Sequence, residues 1–173
     1  MNLKNKVVVI TGAGSGIGRA LARGFCNDQA LVMGFGRTRE HLEETKRLCN
    51  ETMDFQVGDM RSEEEVSALF RKTAEHFGPV DILINNAGIK LTTNSFTEGD
   101  FSDWERVIDI NLKGVALCCK MALPYMLDKN YGRIVNLTSR RAEAARPDAS
   151  YSVSKAALSI FTRALSWEMQ RQA

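Results

Sequence analysis

The segment that most constrains the fold is a glycine-rich loop that follows the first apolar run. Residues 7–10 are Val-Val-Val-Ile; they lead into Thr11 and then Gly-Ala-Gly-Ser-Gly-Ile-Gly over residues 12–18, where a helical pattern begins. A sharp turn with few side chains lets the backbone approach a ligand closely, and the N–H groups at a helix amino terminus attract an anion. The loop therefore predicts a strand–turn–helix unit that binds the pyrophosphate of a dinucleotide.

The loop supplies a set of candidate contacts to that pyrophosphate. They are Gly12, Gly14, Ser15, Gly16, Ile17 and Gly18. The alternative is a glycine-rich turn that binds nothing. The binding interpretation is favoured because the loop lies in the first strand–helix unit, between a buried strand and a helix, as the mechanism requires.

Short apolar runs alternate with longer helical patterns along the rest of the chain. The predicted strands cover residues 7–10, 31–35, 53–57, 82–84 and 134–137, and the predicted helices cover 16–27, 39–50, 63–77, 104–129 and 150–172. Continuous apolar strands separated by helices predict parallel pairing with helices on both faces of the sheet. The chain carries no linker or repeat, so one domain over residues 1–173 is expected.

Composition argues against several classes of function. The 173 residues are 44% hydrophobic and 25% charged, and the net charge of +2 is too balanced for a nucleic-acid binder. No run approaches the ~20 apolar residues that span a bilayer. The four cysteines form no CxxC pair, so we expect no metal site and a reducing, cytoplasmic location.

The end of the second predicted strand bears on the choice of dinucleotide. Enzymes that prefer NAD place an acidic residue there to bind the ribose hydroxyls, whereas this chain has Gly36 followed by Arg37. An arginine pairs well with a 2′-phosphate, and Thr38 or Arg39 would assist. NADP(H) is therefore the expected cofactor, with NAD(H) possible. The alternative is that Arg37 and Arg39 belong to a solvated helix start.

Tyr151 and Lys155 lie four residues apart at the start of the last predicted helix. That spacing places the two side chains on one helix face. A neighbouring ammonium stabilises the phenolate form of tyrosine and makes it a better acid/base catalyst. The YxxxK pattern alone is weak evidence, because such a spacing also arises by chance.

Together these motifs resemble those of the short-chain dehydrogenase/reductase family. The glycine loop matches TGxxxGxG, residues 85–88 match the NNAG segment, and 151–155 match YxxxK. Asn111 and Ser139 occupy the positions of two further family residues. The resemblance implies a Rossmann-like, doubly wound α/β fold with strand order 3-2-1-4-5. It also implies cofactor contacts from Asp59, Met60, Asn86, Ala87, Gly88, Tyr151 and Lys155.

The resemblance further implies hydride transfer between the cofactor and a small-molecule carbonyl or alcohol. Ser139 would polarise the substrate oxygen, Tyr151 would exchange the proton, Lys155 would tune Tyr151, and Asn111 would hold a water leading to Lys155. Four alternatives remain open, three for single residues and one for the whole protein. Asp59 would be a simple turn aspartate, Ser139 a turn serine with Thr138 as the real hydroxyl, and Asn111 a residue that pins a helix bend. The fourth is a dinucleotide-binding protein without catalysis.

The loop after Ser139 departs from the family pattern by carrying Arg140, Arg141 and Arg146. These arginines would recognise an anionic substrate, or they would form a solvated loop neutralised in part by Glu143 and Asp148.

Family members continue beyond the point that corresponds to Ala173. We therefore expect an incomplete carboxyl end that lacks the family's last strands, and an open edge at residues 134–137. An inactive fragment of such an enzyme is thus a further alternative. The resemblance also implies a homo-oligomer paired through helices 104–129 and 150–172.

Overall fold

The protein, described here by a computed structural model over residues 3–91, 96–143 and 148–171, is built on a five-stranded parallel sheet. The strands are β1 (Val7–Thr11), β2 (Leu31–Gly36), β3 (Asp54–Val57), β4 (Ile82–Asn85) and β5 (Arg133–Asn136). Their order is β3-β2-β1-β4-β5, and every pairing is parallel. The predicted doubly wound fold and its strand order are confirmed.

Within the described residues, six α-helices surround the sheet. They are α1 (Gly16–Asn27), α2 (Arg39–Leu48), α3 (Glu63–Phe77), α4 (Phe101–Ile108), α5 (Gly114–Asp128) and α6 (Ala149–Gln170). One apolar core lies on each face of the sheet, the first joining β1 and β4 to α3, α5 and α6 and the second joining them to α1 and α2. β1 is buried along its whole length, which explains why its sequence is continuously apolar.

The predicted helix over residues 104–129 differs from the observed structure. α4 begins earlier, at Phe101, and the residue at its amino-terminal cap is Asp100. Between α4 and α5 the chain forms a single π-helical turn, Asp109–Lys113. The wider turn is compatible with the asparagine at position 111, whose side chain bonds outside the helix.

The two edges of the sheet are β3 and β5. β5 starts one residue earlier than predicted, and Val135 within it is 47% exposed. At the amino end of the sheet, buried Asp81 accepts hydrogen bonds from the Val7 N–H at 2.9 Å and from Lys129 Nζ at 2.6 Å. The four cysteines are free thiols. Among the described helices, none is long and apolar enough to cross a membrane.

Candidate functional site

A cavity of about 490 Å³ lies at the carboxyl ends of β1, β2, β3 and β4. This is the place where the order of the sheet reverses beside β1, which is where open α/β sheets bind ligands. The cavity is lined by Gly12, Gly14, Ser15, Gly16, Ile17, Phe35, Gly36, Arg37, Thr38, His41, Leu42, Gly58, Asp59, Met60, Asn86, Ala87, Gly88, Ile89 and Ile110. The structure thus gathers around one space every predicted cofactor residue except Gly18, Tyr151 and Lys155.

The glycine loop needs its glycines for two different reasons. Gly12 and Gly16 have φ angles of +68° and +51°, in the left-handed region that favours glycine. Gly18 has an ordinary φ, but a Cβ there would collide with the Gly12 carbonyl oxygen and lie 2.6 Å from Asn86 Nδ2. Gly18 therefore serves close packing beneath the loop, which explains why it does not line the cavity.

The segment after β4 is bonded directly to the glycine loop. Asn86 Nδ2 donates to the carbonyl oxygens of Thr11 at 3.0 Å and Gly12 at 3.2 Å. In return, Thr11 Oγ1 accepts from the N–H groups of Asn86 and Ala87, both at 3.1 Å. Asn86 and Ala87 border the cavity because these four bonds fasten them to the end of β1.

Gly36, Arg37 and Thr38 line the cavity where β2 ends, and Asp59 lines it after β3. Arg37 is exposed and lines the cavity, as expected for a residue that would meet a phosphate. Hydrogen bonds from Arg61 hold the pKa of the Asp59 carboxyl below its usual range, and Arg37 acts in the same direction. Because Arg61 donates from both Nε and Nη2, the Asp59 side chain is already engaged in an ion pair.

Several cavity residues escaped the sequence prediction. His41, on the first turn of α2, lines the cavity because α2 packs against the glycine loop, where a Cβ on Gly14 would lie 2.9 Å from His41 Cβ. Ile89 and Ile110 also line it. The sequence offered one signal for two of them: His41 is four residues after Arg37, and Ile89 directly follows Gly88. Nothing else in the sequence indicates them, because the lining of a cavity depends on how helices pack.

Lys155 and Tyr151 lie together on α6, as their spacing predicts. Lys155 is buried, its Nζ donates to the Leu137 carbonyl oxygen at 2.7 Å, and it lies 5.8 Å from the centre of the Tyr151 ring. Burial lowers the pKa of the Lys155 ammonium. The Tyr151 N–H donates to Asp148 Oδ1 at 3.3 Å, so Asp148 caps the helix that carries both side chains.

Asn111 lies on the π-helical turn and links three parts of the site. Its Oδ1 accepts from the Ile89 N–H at 2.8 Å, and its Nδ2 donates to the Ile89 carbonyl at 2.9 Å and to Ser154 Oγ at 3.1 Å. A Cβ on Gly88 would lie 3.1 Å from Asn111 Oδ1 and 3.5 Å from Lys155 Nζ. Asn111 therefore fixes the loop after β4 beside the lysine.

Ser139 follows β5 at the start of a short 3₁₀ turn, Arg140–Ala142. Its Oγ accepts from the Arg141 N–H at 3.2 Å, while neighbouring Thr138 is more exposed. The turn packs against α6, which brings Ser139 to the helix of Tyr151 and Lys155.

The charged side chains near Ser139 are partly paired. Arg141 Nη1 lies 3.5 Å and Lys90 Nζ 3.8 Å from Asp148 Oδ2, and the Asp148 side chain is only 1% exposed. Arg140 is exposed, and Arg146 falls outside the described residues. Arg141 thus has the carboxylate partner that a neutralised loop requires.

The comparisons with known proteins agree with this geometry. The family model of the short chain dehydrogenases matches residues 6–173. An uncharacterized oxidoreductase of Staphylococcus saprophyticus is 36% identical over 176 residues, covering 99% of this chain and 75% of that protein. One from Staphylococcus aureus is 34% identical over 171 residues, covering 98% of this chain and 74% of that protein.

The likeness extends to solved structures. A crystal structure of an NAD⁺-bound xylitol dehydrogenase matches with a TM-score of 0.94 at 30% identity, covering 99% of this chain and 67% of that one. The matching family model, relatives and structure show that this chain belongs to the short-chain dehydrogenase/reductase family of oxidoreductases.

Proposed function

We propose that the protein transfers a hydride between NADP(H) and a carbonyl or secondary alcohol, with Tyr151 as the acid/base. One observation carries the proposal: the glycine-loop cavity and the Tyr151–Lys155 pair lie at the same end of the sheet, joined through Gly88 and Asn111. A binding protein without catalysis has no need for a buried lysine beside a tyrosine at that position.

The residues around the cavity suit a dinucleotide. The positive φ angles of Gly12 and Gly16 shape a turn with few side chains at the cavity, and the helix amino terminus behind it favours a pyrophosphate. Arg37 and Thr38 would hold a 2′-phosphate. The one carboxylate among the described residues that line the cavity is Asp59, already paired with Arg61. The absence of an acidic residue after β2 supports NADP(H) over NAD(H).

The catalytic residues would divide the work of proton transfer and orientation. The bound nicotinamide supplies or accepts the hydride. The Tyr151 hydroxyl gives the proton to the substrate oxygen or takes it back, and Lys155 stabilises the phenolate that remains. The Ser139 Oγ accepts from the Arg141 N–H, so its own hydrogen would donate to the substrate oxygen. Asn111 would keep the loop after β4 in place beside Lys155 through its hydrogen bonds to Ile89.

NAD(H) is the second candidate cofactor. The crystal structure of the xylitol dehydrogenase contains NAD⁺, and that protein is 30% identical to this chain. We infer that a difference in cofactor preference would lie at Gly36, the last residue of β2, and at Arg37, because both line the cavity where β2 ends.

We also propose that the chain, taken as a single dinucleotide-binding and catalytic domain, pairs with a second copy through α5 and α6. Three large side chains on α6, Val153, Ile160 and Trp167, are spaced seven residues apart and are 47%, 57% and 67% exposed. On α5, Leu127 is 48% exposed. A stripe of this kind fits a helix–helix contact.

The test is a pair of fluorescence titrations of the purified protein with NADPH and NADH, followed by a screen of carbonyl substrates. Tighter binding of NADPH, lost in Arg37→Glu but kept in Arg71→Glu, supports the proposal, since Arg71 lies on α3 away from the cavity lining. Equal binding of the two cofactors by the protein without substitutions contradicts the NADP(H) preference, and a preference for NADPH that survives in Arg37→Glu contradicts the role of Arg37. Saturable binding without turnover of any carbonyl supports the non-catalytic alternative.

A further inference from the structure

The four backbone carbonyl oxygens from Thr11 to Gly14 each lie within hydrogen-bonding distance of a side-chain donor. Asn86 Nδ2 donates to the carbonyls of Thr11 and Gly12, as described above. Thr45 Oγ1 lies 3.0 Å from the Ala13 carbonyl oxygen and 2.9 Å from that of His41, so its one hydrogen serves both. Arg19 Nη2 donates to the Gly14 carbonyl oxygen at 2.6 Å. Four successive carbonyl groups are therefore turned towards donors within the protein.

The direction of those carbonyl groups matters for binding an anion. A peptide carbonyl that faces a phosphate repels it, whereas a peptide N–H attracts it. Since the C=O and N–H of a trans peptide lie in one plane and point in opposite directions, fixing each carbonyl also fixes where the N–H of the next residue points. The side chains behind the loop thus determine how well its amides can meet a pyrophosphate.

Arg19 is the residue that ties this arrangement to the neighbouring helix. It lies on α1, and besides the Gly14 carbonyl it donates from Nε to Thr45 Oγ1 at 3.1 Å and from Nη2 to Glu44 Oε2 at 2.7 Å. Thr45 is fully buried on α2, and the Arg19 side chain is 23% exposed. One guanidinium thereby joins the glycine loop to α2.

The charge of Arg19 is already partnered. Glu44 forms an ion pair with it, and the guanidinium points to the Gly14 carbonyl and Thr45. Arg19 is also missing from the residues that line the cavity. These three facts argue against Arg19 as a direct phosphate ligand.

We propose that Arg19, acting with Thr45, is a positioning residue that sets the spacing between the two anion-binding parts of the cofactor site. One part is the glycine loop, and the other is the start of α2, where Thr38 and His41 line the cavity beside Arg37. This inference rests on the proposed function. A ligand that spans both parts depends on their spacing, and a ligand that occupies one part does not.

The experiment compares a spanning ligand with a partial one. NADPH spans both parts, whereas adenosine 2′-monophosphate reaches only the part at Arg37. Their dissociation constants are measured by calorimetry for the wild type, Arg19→Gln and Thr45→Val. The matched controls are Arg23→Gln, which removes an exposed charge from the same helix, and Thr45→Ser, which keeps the hydroxyl.

We expect Arg19→Gln and Thr45→Val to raise the dissociation constant of NADPH by about tenfold, roughly 1.4 kcal/mol, while that of adenosine 2′-monophosphate changes less than about twofold. The two controls should leave both constants unchanged. Because the two test variants alter different helices, either one that remains folded by thermal melting suffices.

Two results would overturn the inference. Unchanged NADPH binding in both test variants means that the contacts do not position the loop, and equal weakening of both ligands means that they only stabilise the region. Either leaves the proposed function standing, because the wild type still binds NADPH. A wild type that binds neither dinucleotide instead contradicts the proposed function itself, and this inference with it.

Discussion

The glycine loop and the catalytic segment lie at the same end of the sheet but are held in different ways. In the loop, four successive carbonyl oxygens lie within hydrogen-bonding distance of the side chains of Asn86, Thr45 and Arg19, which come from three separate parts of the fold. Ser139 and Tyr151, by contrast, are fixed by bonds to residues within three positions in sequence.

The strands that lead into these two regions also differ in how deeply they are buried. β1, which leads into the glycine loop, is buried along its length, whereas β5, which leads into Ser139, alternates between exposed and half-buried residues. Lys155 and Asn111 are the exceptions on the catalytic side, since both are buried and make long-range hydrogen bonds. The glycine loop, where we propose that the cofactor binds, is thus held by long-range contacts, whereas the proposed catalytic part around Ser139 and Tyr151 depends on α6 and its cap.

The largest expected effect is a loss of turnover without a loss of cofactor binding when the hydroxyl of Tyr151 is removed. Tyr151→Phe should lower kcat by about 10³-fold, because the proton donor is lost, while the dissociation constant of NADPH stays within about twofold. Steady-state kinetics and a cofactor titration measure the two quantities. Tyr125→Phe, on α5, is the control and should keep its activity. A Tyr151→Phe enzyme with wild-type turnover would rule out this tyrosine as the acid/base.

The next prediction tests how tightly the cofactor part is packed. Gly18→Ala should lower the free energy of unfolding by about 2 kcal/mol, because the new methyl group meets the Gly12 carbonyl. It should also weaken NADPH binding by at least about tenfold. Gly24→Ala, on the same helix with open space around its Cα, should be neutral or stabilising by up to about 1 kcal/mol.

Urea unfolding and cofactor titration of both glycine variants provide the measurement. If Gly18→Ala and Gly24→Ala had the same unfolding free energy and the same affinity for NADPH, the glycine loop would be less tightly packed than we infer. The proposed difference between the loop and the segment around Tyr151 would then be wrong.

A smaller effect tests whether lost stability alone disturbs the site. Asp81→Asn removes a buried carboxylate from the opposite, amino end of the sheet, where it is bound to Lys129 and the Val7 N–H. We expect a loss of about 2 kcal/mol in unfolding free energy with no change in NADPH affinity. Weakened binding in this variant would show that the cofactor part responds to distant changes.

The smallest effect concerns the β3 edge. Burial acts to raise the pKa of the Asp54 carboxyl, but hydrogen bonds from Lys72 and the Phe55 N–H lower it below its usual value. Such a group contributes stability above pH ~4 that is lost as the pH falls through the lowered pKa. Asp54→Asn should therefore cost under about 1 kcal/mol at pH 7, and this cost should become smaller as the pH falls towards about 2.

Urea unfolding at the two pH values measures that difference. A penalty for Asp54→Asn that is the same at pH 7 and pH 2 would show that the ion pair with Lys72 is not its cause.

Much of the fold could be predicted because its signals are local. The continuous apolar runs at residues 7–10 and 82–84 identify buried parallel strands, and Gly78 with φ +95° ends α3 as its sequence position suggests. The predicted helix over 104–129 was wrong in its start, which is Phe101, and in its continuity, because a π turn at Asn111 interrupts it. That turn depends on what the Asn111 side chain meets after β4. Sequence periodicity contains no information about that partner.

The sequence by itself determined the family motifs, the strand order they imply and the pairing of Tyr151 with Lys155, because these depend on residue type and short spacing. The tertiary structure alone decided that Arg19 and Thr45 support the glycine loop, that His41 lines the cavity and that Asp148 meets Lys90 and Arg141. Such contacts join residues far apart in the chain, and only helix packing against the sheet brings their polar groups within hydrogen-bonding or ion-pairing reach.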